Sequence, residues 1–215
     1  MSIDQSNFES LHNDKFHTKG ESSFSGLKND KKNILLISPQ SEYTAADRSF
    51  MAPALGVIRL AGYMNEKGHY AESFEPNLPM LNNEGPFLDD VLKNKEWDII
   101  GFSILEETFI QDIKNMQLAK KKCPNALIVA GGIEAQFNYQ NVLDKTPCKI
   151  VFISEGEKSL LALANDRPFN EIPGIVYKNS SVPLDQETFN LATSSIEWEK
   201  LPYEKYWDYY FKKYG

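Results

Sequence analysis

Three small residues, Ser103, Gly131 and Gly132, end two short apolar runs, Asp98-Ile99-Ile100-Gly101-Phe102-Ser103 and Leu127-Ile128-Val129-Ala130-Gly131-Gly132. A serine at such a place donates or accepts one buried hydrogen bond, and paired glycines let a flat, bulky ligand lie close against backbone. This is binding chemistry. No general acid, base or nucleophile is evident beside it. Cys123 and Cys148 are too few and too far apart for a metal cluster, and each adjoins a proline at an element boundary, which suits ordinary reduced thiols. His12, His17 and His69 have no partner at zinc-like spacing.

The two runs are almost unbroken rather than alternating, which suits strands covered on both faces, as in a parallel sheet. In open α/β folds the ligand lies at the carboxyl edge of such strands. Ser103, Leu105, Gly131 and Gly132 would all sit there. Three further strands are expected over Asn33–Pro39, where the proline stops the first, Tyr70–Phe74 and Lys149–Ile153. Pro53 opens a helix whose inner face carries Ala54, Val57, Ile58, Ala61 and Met64, and Gly68 ends it. Short helices are expected over Phe87–Asn94 and Tyr139–Leu143, and another over Lys158–Ala164. The helix after the third strand would turn Phe109, Ile113, Met116 and Ala119 inward, with Lys120, Lys121 and Lys122 outward where the helix dipole favours cations. Pro76 to Pro86 reads as a long loop, Ile172 to Tyr177 as a further extended segment, and Val182 onward as an irregular tail ending in aromatic residues.

Strands alternating with helices imply right-handed crossovers. The expected fold is α/β, a Rossmann-like (flavodoxin-like) five-stranded parallel sheet with helices on both faces, plus a C-terminal extension. Residues 1–32 form a flexible polar leader, 33–168 the α/β domain and 169–215 the extension.

A net charge of −7 argues against a nucleic-acid partner. No apolar run approaches the roughly 20 residues that span a membrane, and the N-terminus lacks the charged-then-apolar order of a signal peptide, so residence in the cytoplasm is expected. A dinucleotide would call for Gly-x-Gly-x-x-Gly after the first strand, where Ser38-Pro39-Gln40-Ser41 stands instead. A phosphate-binding Gly-x-x-x-x-Gly-Lys loop is absent, and the third strand lacks the acidic end of a phosphorylated receiver domain.

Ser103-Ile104-Leu105 followed by Gly131-Gly132 resembles the Ser-x-Leu and Gly-Gly signatures of cobalamin-binding domains. Ile34-Leu35-Leu36-Ile37-Ser38-Pro39, Pro53-Ala54-Leu55-Gly56 and Ser154-Glu155-Gly156-Glu157 resemble the N-terminal cobalamin (B12)-binding domains of B12-dependent radical S-adenosylmethionine enzymes. That resemblance covers about Asn33 to Trp207. It implies a cobalt corrinoid held by Pro39, Gln40, Pro53, Leu55, Gly56, Ser103, Ile104, Leu105, Gly131, Gly132, Ile133, Glu155, Gly156 and Glu157. It also implies a histidine-off mode, because the stretch Ser38 to Phe50 has no histidine where other cobalamin domains carry their cobalt ligand. The family's methyltransferases and related radical enzymes add a barrel with a [4Fe–4S] cluster and S-adenosylmethionine. The Cys-x-x-x-Cys-x-x-Cys run for that cluster is absent from these 215 residues, so a barrel would be a separate or missing partner. Two alternatives stay open: a non-catalytic interaction module docking through Tyr203–Tyr214, and an enzyme holding another flat ligand such as flavin at the same edge.

Overall fold

The structure, a computed structural model, describes residues 31–41, 53–180 and 203–215. The expectations for the leader, including His12 and His17, for the stretch 42–52 and for the irregular tail as far as residue 202 lie outside these residues. The elements run β1 (Asn33–Ile37), α1 (Leu55–Glu66), β2 (Tyr70–Phe74), α2 (Asn77–Asn82), α3 (Leu88–Lys93), β3 (Ile99–Ser103), α4 (Phe109–Lys122), β4 (Leu127–Gly131), α5 (Ile133–Phe137), α6 (Tyr139–Lys145), β5 (Ile150–Phe152), α7 (Gly156–Ala164), β6 (Ile175–Tyr177) and α8 (Tyr203–Tyr214). The sheet order is β2-β1-β3-β4-β5-β6. The first five strands pair in parallel and β6 pairs antiparallel with β5.

Successive side chains of a strand point to opposite faces, and both faces here are apolar. Leu35, Ile37, Ile100, Phe102, Ile128, Ala130 and Val151 join Leu92, Met116, Ala119 and Val142, so α3, α4 and α6 cover one face. Ile34, Leu36, Ile99, Val129, Ile150 and Phe152 join Val57, Ala61, Met64, Leu160 and Leu163, so α1 and α7 cover the other. Each large aliphatic side chain buried this way contributes roughly 1.5–3 kcal/mol. The doubly covered parallel sheet is the fold the sequence implied.

The strand count is corrected from five to six. Gly174, at a φ of +71°, turns the chain so that Ile175–Tyr177 runs back along β5 and closes that edge of the sheet. The stretch Pro76–Pro86 is not all loop: α2 forms within it, because Pro79 falls in the first turn, where a missing N–H is harmless. A short helix, α5, precedes the expected one at Tyr139. The aromatic end of the chain is helical, with Tyr206 and Tyr209 buried against Leu78 of α2. On α4 the deeply buried positions include Asp112 and Asn115, while Ile113 is only half-buried. Two of its terminal lysines have partners: Lys122 pairs with Asp89 at 2.6 Å, and Lys120 donates to the Pro124 carbonyl at 2.6 Å.

Candidate functional site

Alternation puts residues 99, 101 and 103 of β3, and 127, 129 and 131 of β4, on the face covered by α1 and α7. Along β3 these side chains drop from Ile99 to the small Gly101 and Ser103, and along β4 from Leu127 and Val129 to Gly131. Register aligns the small ones: Ser103 stands opposite Gly131, and Gly101 lies between Leu36 of β1 and Val129 of β4. The sheet therefore stays flat and low at its carboxyl edge, while α1 and α7 rise on either side. The result is a cleft of about 460 Å³. That lies within the roughly 300–1,000 Å³ typical of small-ligand sites.

The floor is apolar, made by Leu36, Gly101, Val129 and Phe152, with the Ser103 hydroxyl at its upper end. Gly132 sits at that end with a φ of +91°. A Cβ on it would stand 3.0 Å from Ser103 Oγ and closer still to the Ile104 backbone, so only glycine lets the two strand ends meet this closely. Ile133 and Gln136 of α5 form the lip.

One wall is charged. Arg59 of α1 reaches across to the start of α7, where its guanidinium meets Glu157 Oε1 at 2.5 Å and Glu155 Oε2 at 3.2 Å. Glu155 is half exposed, whereas the Glu157 side chain is only 2% exposed. Burial, followed by the Glu157 carboxylate, pushes the nearby Tyr63 phenol above its ordinary value. Arg59 thus faces two carboxylates, while Lys158, next to Glu157, acts on the Tyr63 phenol in the opposite sense. Among the described residues no group of three or more His, Cys, Asp or Glu could hold a metal ion.

Of the residues named from sequence, Gly56, Ser103, Gly131, Gly132, Ile133, Glu155, Gly156 and Glu157 line this one cleft. The other six stand elsewhere. Ile104 is fully buried beneath the cleft's end, and Leu105 starts the following helical turn, its N–H donating to Thr108 Oγ1 at 3.1 Å. Leu55 is exposed on α1. Pro53 borders a second cavity of about 290 Å³, between the ends of β1 and β2 and helix α8. There Glu75 Oε1 accepts from the Asn77 N–H at 2.9 Å and from Asn77 Nδ2 at 2.6 Å, and burial holds its carboxyl above the ordinary range.

Pro39 and Gln40 are pinned away from the cleft. The Gln40 N–H donates to Asp112 Oδ1 at 3.1 Å, and its side-chain carbonyl accepts from Asn115 Nδ2 at 2.6 Å. Asn77 holds the Pro39 carbonyl at 2.8 Å and the Ser41 N–H at 3.0 Å. Sequence reasoning missed Arg59, Gln136 and Phe152. A signal existed for Arg59 alone: it is the single charged residue in the otherwise uncharged run Leu55–Met64.

Comparison with known proteins identifies the family of this chain. The B12-binding domain family matches residues 44–164, more than half of the chain. The anaerobic magnesium-protoporphyrin IX monomethyl ester cyclase of Rubrivivax gelatinosus is 26% identical over 188 residues, covering 80% of this chain and 33% of the relative. The cyclase of the same name from Synechocystis sp. is 25% identical over 174 residues, covering 72% and 33%. The chain thus spans about a third of the length of these relatives. Two solved structures share the fold. The cobalamin-dependent S-adenosylmethionine radical enzyme OxsB, with aqua-cobalamin bound, has a TM-score of 0.59 at 18% identity over 75% of this chain and 23% of its own. The radical S-adenosylmethionine methyltransferase TsrM from Kitasatospora setae, with cobalamin and a [4Fe–4S] cluster bound, has a TM-score of 0.57 at 17% identity over 77% and 31%. The chain belongs to the B12-binding domain family, and its fold resembles the cobalamin-dependent radical S-adenosylmethionine enzymes.

Proposed function

We propose that this chain is a cytoplasmic cobalamin-binding module of the histidine-off type, serving a radical S-adenosylmethionine methyltransferase or related radical enzyme. The observation that carries the proposal is the row Gly101, Ser103, Gly131 on the α1/α7 face, which keeps the carboxyl edge low in a chain of the B12-binding family. The residues fit the cofactor. A corrin would rest on the edge above Ser103 and Gly131-Gly132. Its nucleotide tail would enter the cleft over Leu36, Val129 and Phe152, with the Ser103 hydroxyl offering one hydrogen bond. Bound cobalamin would supply cobalt chemistry for carrying a methyl group or an electron.

This chain's own part is to bind, orient and exclude water. The apolar floor buries the planar base of the tail, and the close-set strand ends fix the height of the ring. The lack of a histidine between Ser38 and Phe50 supports the histidine-off reading. The iron–sulfur cluster and S-adenosylmethionine would be held by a barrel outside residues 33–215, either linked to this domain or as a separate subunit. Gel filtration after mixing with hydroxocobalamin tests the reading. Corrin absorbance should travel with the protein peak, and its complete loss would sink the proposal.

A second reading is favoured by α8, which exposes Trp207, Phe211 and Tyr214 while burying Tyr206 and Tyr209. On that view the chain is a non-catalytic interaction module that docks through this helix. Truncation after Ile196 should then abolish association, and unchanged assembly would reject it.

A further inference from the structure

Helix α8 carries aromatic residues on two faces, and the domain covers one of them. Tyr206 and Tyr209 are buried against Leu78, with Tyr210 packed beside them. Tyr203, Trp207, Phe211 and Tyr214 stay between 42% and 68% exposed. The rings are already arranged along the helix: Trp207 lies by Phe211 with centroids 6.3 Å apart, and Tyr210 stacks on Tyr214 at 6.0 Å. Ordering them for a partner therefore costs little further side-chain entropy. A contiguous exposed row of this kind marks a docking surface.

The pattern of the helix says what fits there. Tyr203, Trp207, Tyr210 and Tyr214 are spaced four, three and four, the a/d spacing of a helix seam. That spacing reads the same from either end. A second α8 laid antiparallel would bring Tyr203 against Tyr214 and Trp207 against Tyr210, aromatic on aromatic at every level. Charge selects the same orientation. The first half of α8 carries Glu204, Lys205 and Asp208, a net −1, and the second half Lys212 and Lys213, a net +2. Antiparallel copies set unlike halves together and oppose the helix dipoles, whereas parallel copies set like on like.

We infer that α8 pairs with α8 of a second copy of this chain, antiparallel about a two-fold axis near the middle of the helix. At about 150–250 Å² for a whole aromatic side chain, the four exposed rings would hide roughly 900 Å² over both copies. That falls below the about 1,200 Å² of a standard interface, so the dimer is weak, half-dissociated at roughly tens of micromolar. The inference rests on the docking reading of α8, whose partner it names, and is independent of the corrinoid reading.

The test is sedimentation velocity of the full chain from about 5 to about 500 µM, a range that brackets the expected midpoint. The sedimentation coefficient should climb from that of a monomer toward that of a dimer. Trp207→Glu, at an exposed position, should weaken the dimer about tenfold or more while melting like wild type by circular dichroism. Orientation is read by cross-linking in a Cys123→Ser background. Tyr203→Cys mixed with Tyr214→Cys should form a disulfide-linked dimer under mild oxidation. Neither alone should, because like positions lie about 16 Å apart along an antiparallel pair. A chain that stays monomeric throughout, a Trp207→Glu dimer as tight as wild type, or Tyr203→Cys linking to itself overturns this inference alone and leaves the aromatic row to a different protein. Association that survives truncation after Ile196 rejects the docking reading and this inference with it.

Discussion

Gly132 lies against Ile104 so closely that a Cβ on the glycine would stand 2.7 Å from both the amide nitrogen and the carbonyl oxygen of Ile104. Both neighbours are backbone and cannot step aside. The glycine's φ of +91° adds a second obstacle to any side chain. Gly132→Ala should therefore cost about 1–3 kcal/mol of stability, read from urea unfolding. A variant as stable as wild type would show that the strand ends are looser than this contact implies.

Gly131 predicts the opposite partition. A Cβ there would meet only Phe152 Cβ, at an ordinary 3.8 Å, and its φ is unremarkable for a strand. Gly131→Ala should leave the melting temperature nearly unchanged. It should still weaken hydroxocobalamin retention, because the added methyl rises from the cleft floor. The pair of variants thus separates folding from binding, and equal effects in both assays would show that the two glycines share one role.

Asp112 makes stability depend on pH. Burial, opposed by hydrogen bonds from Thr108 and the Gln40 N–H, raises its carboxyl to about 7. The folded state keeps its proton over a range where the unfolded chain, near pH 4, has lost it. Its contribution is therefore fully present below about pH 4 and falls by roughly 1.4 kcal/mol per pH unit as pH rises toward 7. Asp112→Asn, neutral throughout, should flatten the difference in urea midpoint between pH 5 and pH 7.5. A slope unchanged by that substitution would assign the dependence to another group.

Cys148 should be inert. Burial, only partly opposed by hydrogen bonding to backbone, pushes its thiol up to about 12, and its Sγ donates to the Ile150 carbonyl at 3.0 Å. Cys123 is half-buried, and burial raises its thiol too. With a thiol reagent at pH 8, Cys148 should react only as fast as the domain unfolds, so adding urea should accelerate labelling steeply. Rapid labelling of Cys148 under native conditions would contradict the packing around β5.

The central sheet was readable because β1, β3 and β4 are covered on both faces and so appear as unbroken apolar runs. β6 was legible as an extended segment over Ile172–Tyr177 but not as a sixth strand, since three residues after Pro173-Gly174 join the sheet only because β5 offers an open edge. α2 was masked by Pro76 and Pro79, and α8 by aromatic residues whose periodicity has meaning only once Leu78 is in place. The same division holds at the cleft. Ser103, Gly131 and Gly132 announce themselves by being small where neighbours are large. Arg59 does not, because its partners Glu155 and Glu157 lie nearly a hundred residues away and meet it through the fold alone. Asp112 reads as the polar side of a helix, and its burial depends on where Gln40 comes to rest.

The reversed direction of β6 has a consequence for the end of the chain. Because Tyr177 aligns with Ile150, the start of β5, the backbone leaves the sheet at the end remote from the cleft. Yet α8 borders the cavity formed by Ser38, Phe74 and Glu75, on the cleft's own side and four strands away. The chain must therefore cross back between Tyr177 and Tyr203 from one end of the strands to the other, and α8 then rests on α2, through Tyr206 and Tyr209 against Leu78, rather than on the strand next to which the chain left.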